Sequence, residues 1–163
     1  MNVINSSVFM KSKPTEASPL ETECLFGETV QILEETSNWV YCKLNTDNYC
    51  GWIKKEGLGE LKNPTHRVVV KRSFIYINKT PKSNSLFYLP MGAKILVQNI
   101  KSDWAEISFY YNNEIQTGYV PSKHIVKLHH KVKDWVKVAE LLEDTPYKWG
   151  GRDTIGIDCS ALL

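Results

Sequence analysis

Short runs in which apolar and polar residues alternate with a period of two account for most of the chain. Alternation from Trp39 to Leu44 and again from Tyr49 to Ile53 predicts two strands, and the polar stretch Asn45–Asn48 between them predicts a four-residue hairpin loop. The arrangement returns at Trp104–Tyr111 and Ile115–Val120, around Asn112, Asn113 and Glu114. At a constant offset of 65, Gly27 falls on Gly92, Val30 on Ile95, Ser37 on Ser102 and Trp39 on Trp104. Beyond the tryptophan the second copy gains two residues in its hairpin, so Gly51, Trp52 and Ile53 fall on Gly118, Tyr119 and Val120. Turns tolerate such insertions. The pattern predicts a small antiparallel barrel, twice. A barrel of about 60 residues has few large side chains from which to build a core, so Trp39 and Trp104, at matched positions, are assigned to the two cores.

After the second copy the period changes to about 3.6. Val132, Trp135, Val136, Ala139 and Leu142 mark one face of a helix from about 131 to 143, which has to end before Pro146. A glycine-punctuated loop follows, and Ala161, Leu162 and Leu163 read as the start of another helix. Junctions at Asn63-Pro64 and at about 127–130 divide the chain into 1–63, 64–127 and 128–163.

Composition leaves this picture in place. Hydrophobic residues make up 42% and charged residues 23%, which suits packed cores, and a net charge of +2 points to neither nucleic acid nor an anionic membrane. The first ten residues lack a basic stretch followed by an apolar run, so an export signal is not expected, and no stretch is long enough to span a bilayer. The expected setting is cytoplasmic, with reduced thiols. Cys24, Cys42, Cys50 and Cys159 contain no Cys-x-x-Cys pair, which fits neither a zinc site nor a disulfide framework, and the first three are read as small buried apolar residues. Neighbouring His129 and His130 point in different directions and are not read as a metal site.

Two resemblances add to this reading. The stretch Gly118–Ile125, with a Trp-led strand before it, resembles the last strands and tight helical turn of SH3-like folds, so both copies look like bacterial SH3-type domains. Pro146-Tyr147, Trp149-Gly150-Gly151, Gly156, Asp158-Cys159-Ser160 and Leu162 stand in the order and spacing of the NlpC/P60 cell-wall cysteine peptidases, and the segment from about Val132 resembles the opening of their catalytic domain. The implied fold is mainly β: two tandem SH3-like barrels, then a helix and loop that begin an α+β papain-like domain. Aromatics including Tyr41, Trp52, Tyr76, Tyr88, Tyr110, Tyr111 and Tyr119 either fill the barrels or line a groove for a cell-wall peptide. Alternation allows at most one of Tyr110 and Tyr111 inside.

The resemblance implies that Cys159 is the nucleophile, that the Tyr147 hydroxyl contributes to an oxyanion hole, and that Asp158 and Ser160 hold the amino group of an N-terminal L-alanine. A free thiol with a pKa near 8.5 is only about 3% thiolate at pH 7, so a nucleophilic cysteine needs help. A helix N-terminus supplies some. In the family the larger share comes from a histidine downstream of the cysteine. The sequence stops four residues after Cys159, and His66, His124, His129 and His130 all precede it. The expectation is therefore a peptidoglycan stem-peptide hydrolase of muropeptide recycling, cutting between D-glutamate and a diamino acid without metal or organic cofactor, but catalytically silent as these 163 residues. Its last residues are expected to lack a packing surface. Peptide binding by the barrels alone, or a fragment without function, are the alternatives.

Overall fold

The computed structural model describes residues 1–112 and 114–161; Asn113, Leu162 and Leu163, on which parts of the second hairpin loop and of the terminal helix reading fall, lie outside them. Strands β1 (Asn2–Val3), β2 (Ser7–Lys11), β3 (Leu20–Leu25), β4 (Val30–Glu35), β5 (Trp39–Leu44), β6 (Cys50–Lys54) and β7 (Leu58–Gly59) form a first β unit. A second contains β8 (His66–Val68), β9 (Arg72–Tyr76), β10 (Ser85–Pro90), β11 (Lys94–Lys101), β12 (Trp104–Tyr111), β13 (Glu114–Pro121) and β14 (Ile125–Lys127). Helix α1 (Trp135–Glu140) and the short strands β15 (Arg152–Asp153) and β16 (Gly156–Ile157) follow. No helix among the described residues is long and apolar enough to cross a membrane.

The sequence repeat is also a repeat of topology. The first sheet runs β3-β2-β6-β5-β4, and β10-β9-β13-β12-β11 gives the same order in the second. A register irregularity between Ile32 and Glu34 recurs between Val97 and Asn99, again at an offset of 65. Single 3₁₀ turns, Lys55–Gly57 and Ser122–His124, precede the last strand of each unit.

Strand alternation decides the interiors, and the structure corrects three assignments. In β5 the inward residues are Val40, Cys42 and Leu44; in β12 they are Ala105, Ile107 and Phe109. Trp39 and Trp104 therefore face outward and are only half-buried: the Lys54 ammonium lies 5.9 Å from the Trp39 ring centroid, and Trp104 packs edge-on against Tyr76 at 5.4 Å. Cys24 and Cys42 are buried as expected, and burial raises both thiol pKa values, that of Cys42 to about 12. Cys50 is exposed, because Gly51 and Ile53 take the inward positions of β6. The third correction concerns the helix. It begins at Trp135, where the Asp134 carboxylate accepts the Lys137 amide, and gives way after Glu140 to single turns ending at Asp144, whose φ of 63° is left-handed. Its apolar stripe is present but unburied, with Trp135 73% exposed, and six residues without a packing partner do not extend a helix.

The units are joined through equivalent turns. Gly27 and Gly92 both have positive φ, 77° and 86°, and a Cβ on Gly27 would run into the Lys94 carbonyl oxygen. This approach lets the Lys94 amide donate to the Phe26 carbonyl at 2.8 Å. Phe26 leaves its own unit altogether. Its ring is buried in the second core with Ile75, Leu89, Ile107 and Phe109, 5.8 Å from the Phe87 ring.

Candidate active site

The segment Pro146–Ala161 is shaped by its own backbone first. β15 and β16 pair antiparallel, Tyr147 bridges Ile157, and the Lys148, Ile157 and Asp158 amides donate to the Ile157, Pro146 and Gly151 carbonyls. Gly150 has φ 68°, and a Cβ there would sit 2.9 Å from Leu20 Cγ and 3.1 Å from the Glu21 carbonyl oxygen, so the motif's glycine lets the loop lie flat on β3. The Asp158 carboxylate closes the loop around the cysteine. Oδ2 accepts the Gly150 amide at 3.0 Å, and Oδ1 accepts the Ser160 hydroxyl at 2.8 Å and the Ala161 amide at 2.9 Å. Cys159 and Ser160 are exposed beside it.

Partial burial pushes the Asp158 carboxyl up, and the Ala161 amide, Ser160 hydroxyl and Gly150 amide more than offset it, so its pKa lies below the ordinary carboxylate value. A depressed carboxyl contributes stability that is fully present above its unfolded pKa of about 4 and is lost as pH falls through the folded value. Exchange of the Gly150 and Ala161 amides, corrected for intrinsic rates, is therefore expected to accelerate on acidification through that range. An Asp158→Asn variant should be insensitive to pH there; a variant that keeps the acid response would place its origin elsewhere.

The expectation that this segment lacks a packing surface is overturned for residues 148–153. Lys148 Nζ forms an ion pair with Glu23 and lies 4.5 Å from the Phe9 ring centroid. Trp149 Nε1 donates to the Leu20 carbonyl at 3.0 Å, and the Glu23 amide donates to the Gly150 carbonyl at 2.8 Å. Arg152 forks onto Glu28, Nη1 to Oε2 at 2.9 Å and Nη2 to Oε1 at 3.0 Å, while its amide donates to Glu23 Oε2 at 2.9 Å. Glu23, Glu28 and Asp153 are all buried. Burial pulls the Arg152 guanidinium pKa down, and the Glu28 charge and hydrogen bonds more than offset it. The second unit contributes Tyr88, whose hydroxyl donates to Asp153 Oδ2 at 2.6 Å; burial and then this bond push the phenol well above its usual pKa. Tyr88 is thus committed to the segment rather than open as part of a groove.

Asp158, Cys159 and Ser160 are brought together by adjacency on this loop, and the bridge to Ile157 places Tyr147 alongside, its side chain 66% exposed. Sequence reasoning missed Glu23, Glu28 and Arg152. One signal was available: at the repeat offset Glu28 falls on Ala93, an interior position in both units, so a carboxylate there calls for a buried partner.

Fold and site together define a mainly β protein with an SH3-like domain and an exposed thiol on a docked loop. Residues 11–58 match the family described as the bacterial dipeptidyl-peptidase SH3 domain. Aligned over 98% of its length, the chain is 25% identical to dipeptidyl-peptidase 6 of Lysinibacillus sphaericus, of which it covers 65%. It is also 25% identical, over 88% of its length, to the gamma-D-glutamyl-L-lysine dipeptidyl-peptidase of Bacillus subtilis, of which it covers 51%. The fold is similar to that of an NlpC/P60 family protein from Bacillus cereus, with a TM-score of 0.81 at 16% identity, over 99% of this chain and 69% of that one. The chain spans about half to two thirds of the length of these curated relatives.

Proposed function

We propose that Cys159 is the nucleophile of a thiol-dependent hydrolase of peptidoglycan stem peptides, acting on the bond between D-glutamate and a diamino acid, and that residues 64–127 are a second SH3-type domain. The observation that carries this reading is the exposed Cys159 thiol beside an Asp158 carboxylate tied into a loop that rests on β3, a strand within the matched dipeptidyl-peptidase SH3 region. In the proposed reaction the Cys159 thiol gives its proton to a histidine base of the kind the resemblance implies, the thiolate adds to the scissile carbonyl while the Tyr147 hydroxyl donates to the developing oxyanion, and the C–N bond breaks as the base returns the proton to the leaving amine; water then attacks the thioester, releasing the carboxylic acid and restoring the thiol. None of His66, His124, His129 and His130 is assigned as the base, because all four precede Cys159 whereas the resemblance implies a histidine that follows the cysteine. Among the described residues Asp158 accepts hydrogen bonds from Gly150, Ser160 and Ala161, which hold it in place, and its negative charge beside the exposed thiol is the group proposed to attract a substrate ammonium.

The test is titration of L-Ala-γ-D-Glu-L-Lys into the isotopically labelled chain. Amide shifts are expected at Gly150, Asp158 and Ala161, with affinity falling at least tenfold, about 1.4 kcal/mol, for the N-acetylated peptide or for Asp158→Asn. Equal binding of the acetylated peptide would remove the ammonium role, and no binding at all would remove the reading. A second reading, peptide capture without chemistry, draws on the ring pair Tyr41 and Trp52, 5.4 Å apart on the outer face of the first sheet. It predicts shifts at those two residues instead.

A further inference from the structure

We propose that Glu23 and Tyr88 are paired positioning residues that hold the Cys159 segment between the two β units. They are repeat mates, 65 positions apart, on the equivalent strands β3 and β10. Each grips one of two consecutive residues of β15: Glu23 Oε2 accepts the Arg152 amide at 2.9 Å, and the Tyr88 hydroxyl donates to Asp153 Oδ2 at 2.6 Å. The segment therefore lies where the two copies present the same position to it.

Burial makes the Glu23 assignment specific. The residue is 3% exposed, yet among the described residues both partners of its carboxylate, the Lys148 ammonium and the Arg152 amide, belong to the segment and neither to its own unit. A shielded carboxylate is tolerated only with such partners, so β3 is built to receive this loop. Asp153 accepts the Thr154 amide and hydroxyl within the segment but also reaches across to the second unit. It is 4% exposed, reaches Tyr88 and lies 4.0 Å from Arg72 Nε, both in the second unit. From β3 a continuous chain of bonds reaches both sides of Cys159: the Glu23 main-chain amide donates to the Gly150 carbonyl, the Gly150 amide donates to the Asp158 carboxylate, and the Ser160 hydroxyl and Ala161 amide donate to the same carboxylate. Neither residue touches the thiol; they act through the loop. The inference rests on Cys159 being the nucleophile only for its functional meaning.

Hydrogen exchange on the full chain tests it, comparing wild type with Glu23→Gln and with Tyr88→Phe, the second keeping the ring and its volume. Each variant is expected to speed exchange of the Gly150, Asp158 and Ala161 amides at least tenfold, while Val40, Ile53 and Ile107 in the two cores change less than twofold. In a Cys50→Ser background, the rate of Cys159 alkylation by iodoacetamide at one fixed pH should move in both variants toward that of a free peptide of residues 155–161, while the exchange of the core amides stays as in wild type. Unchanged exchange in the segment, equal acceleration in the cores, or an alkylation rate identical to wild type overturns the proposal. No peptide substrate enters the measurement, so its failure is separable from failure of the hydrolase reading.

Discussion

Replacing Phe26 with alanine is expected to destabilise the second β unit, although the residue belongs to the sequence of the first. The ring is 1% exposed in a core otherwise made of residues 68–125, and truncating a buried phenylalanine costs about 3–5 kcal/mol in lost transfer energy and residual cavity. The site has little freedom to collapse, because the Phe26 backbone is pinned on both sides: its amide donates to the Ser6 carbonyl at 3.0 Å and its carbonyl accepts the Lys94 amide at 2.8 Å. Urea unfolding with site-resolved exchange is the measurement. Amides of Ile75, Leu89 and Ile107 should lose protection at least as much as those of Val40 and Ile53. A loss confined to the first unit would mean that the ring contributes nothing where it lies.

Glu28→Ala is expected to cost about as much by a different route. Its carboxylate is the partner of a forked guanidinium, accepts the Leu25 amide at 2.8 Å and accepts the Thr46 hydroxyl at 2.7 Å. Removing one member of a buried pair leaves the other charge uncompensated, typically about 3–5 kcal/mol. The Arg152 side chain is 17% exposed, so water can reach it in part and the lower end of that range applies. Glu28→Gln keeps two neutral acceptor–donor positions and should lose less than the alanine. Stabilities of both variants equal to wild type would show that the fork carries no energy.

The hairpins, the repeat and the loop around Cys159 were legible because each rests on a local signal: period-two alternation, glycine at a fixed offset, and contiguous motif residues. The tryptophans were not, since size argued for the interior while alternation argued against it, and Val40 and Ala105 hold the inward positions next to them. Cys50 failed for the same reason, as its neighbour Gly51 is the inward residue. The helix at 131–143 was read from a true apolar stripe, but a stripe says which face would be buried and not whether anything buries it; Trp135 remains mostly exposed. Least legible was the ionic grip on the terminal segment. Glu23 and Arg152 are 129 positions apart, and no local pattern connects two charges at that distance.

Synthesis from the N-terminus gives the Phe26 contact a timing. The pocket for this ring is complete only once Ile125 has emerged, roughly 100 residues later, an interval of about 5–20 s at ordinary elongation rates. During that interval the nascent first unit carries a large uncovered aromatic side chain, the kind of transiently exposed apolar surface that favours misassembly. The repeat that joins two similar units on one polypeptide thus also decides when either of them is finished.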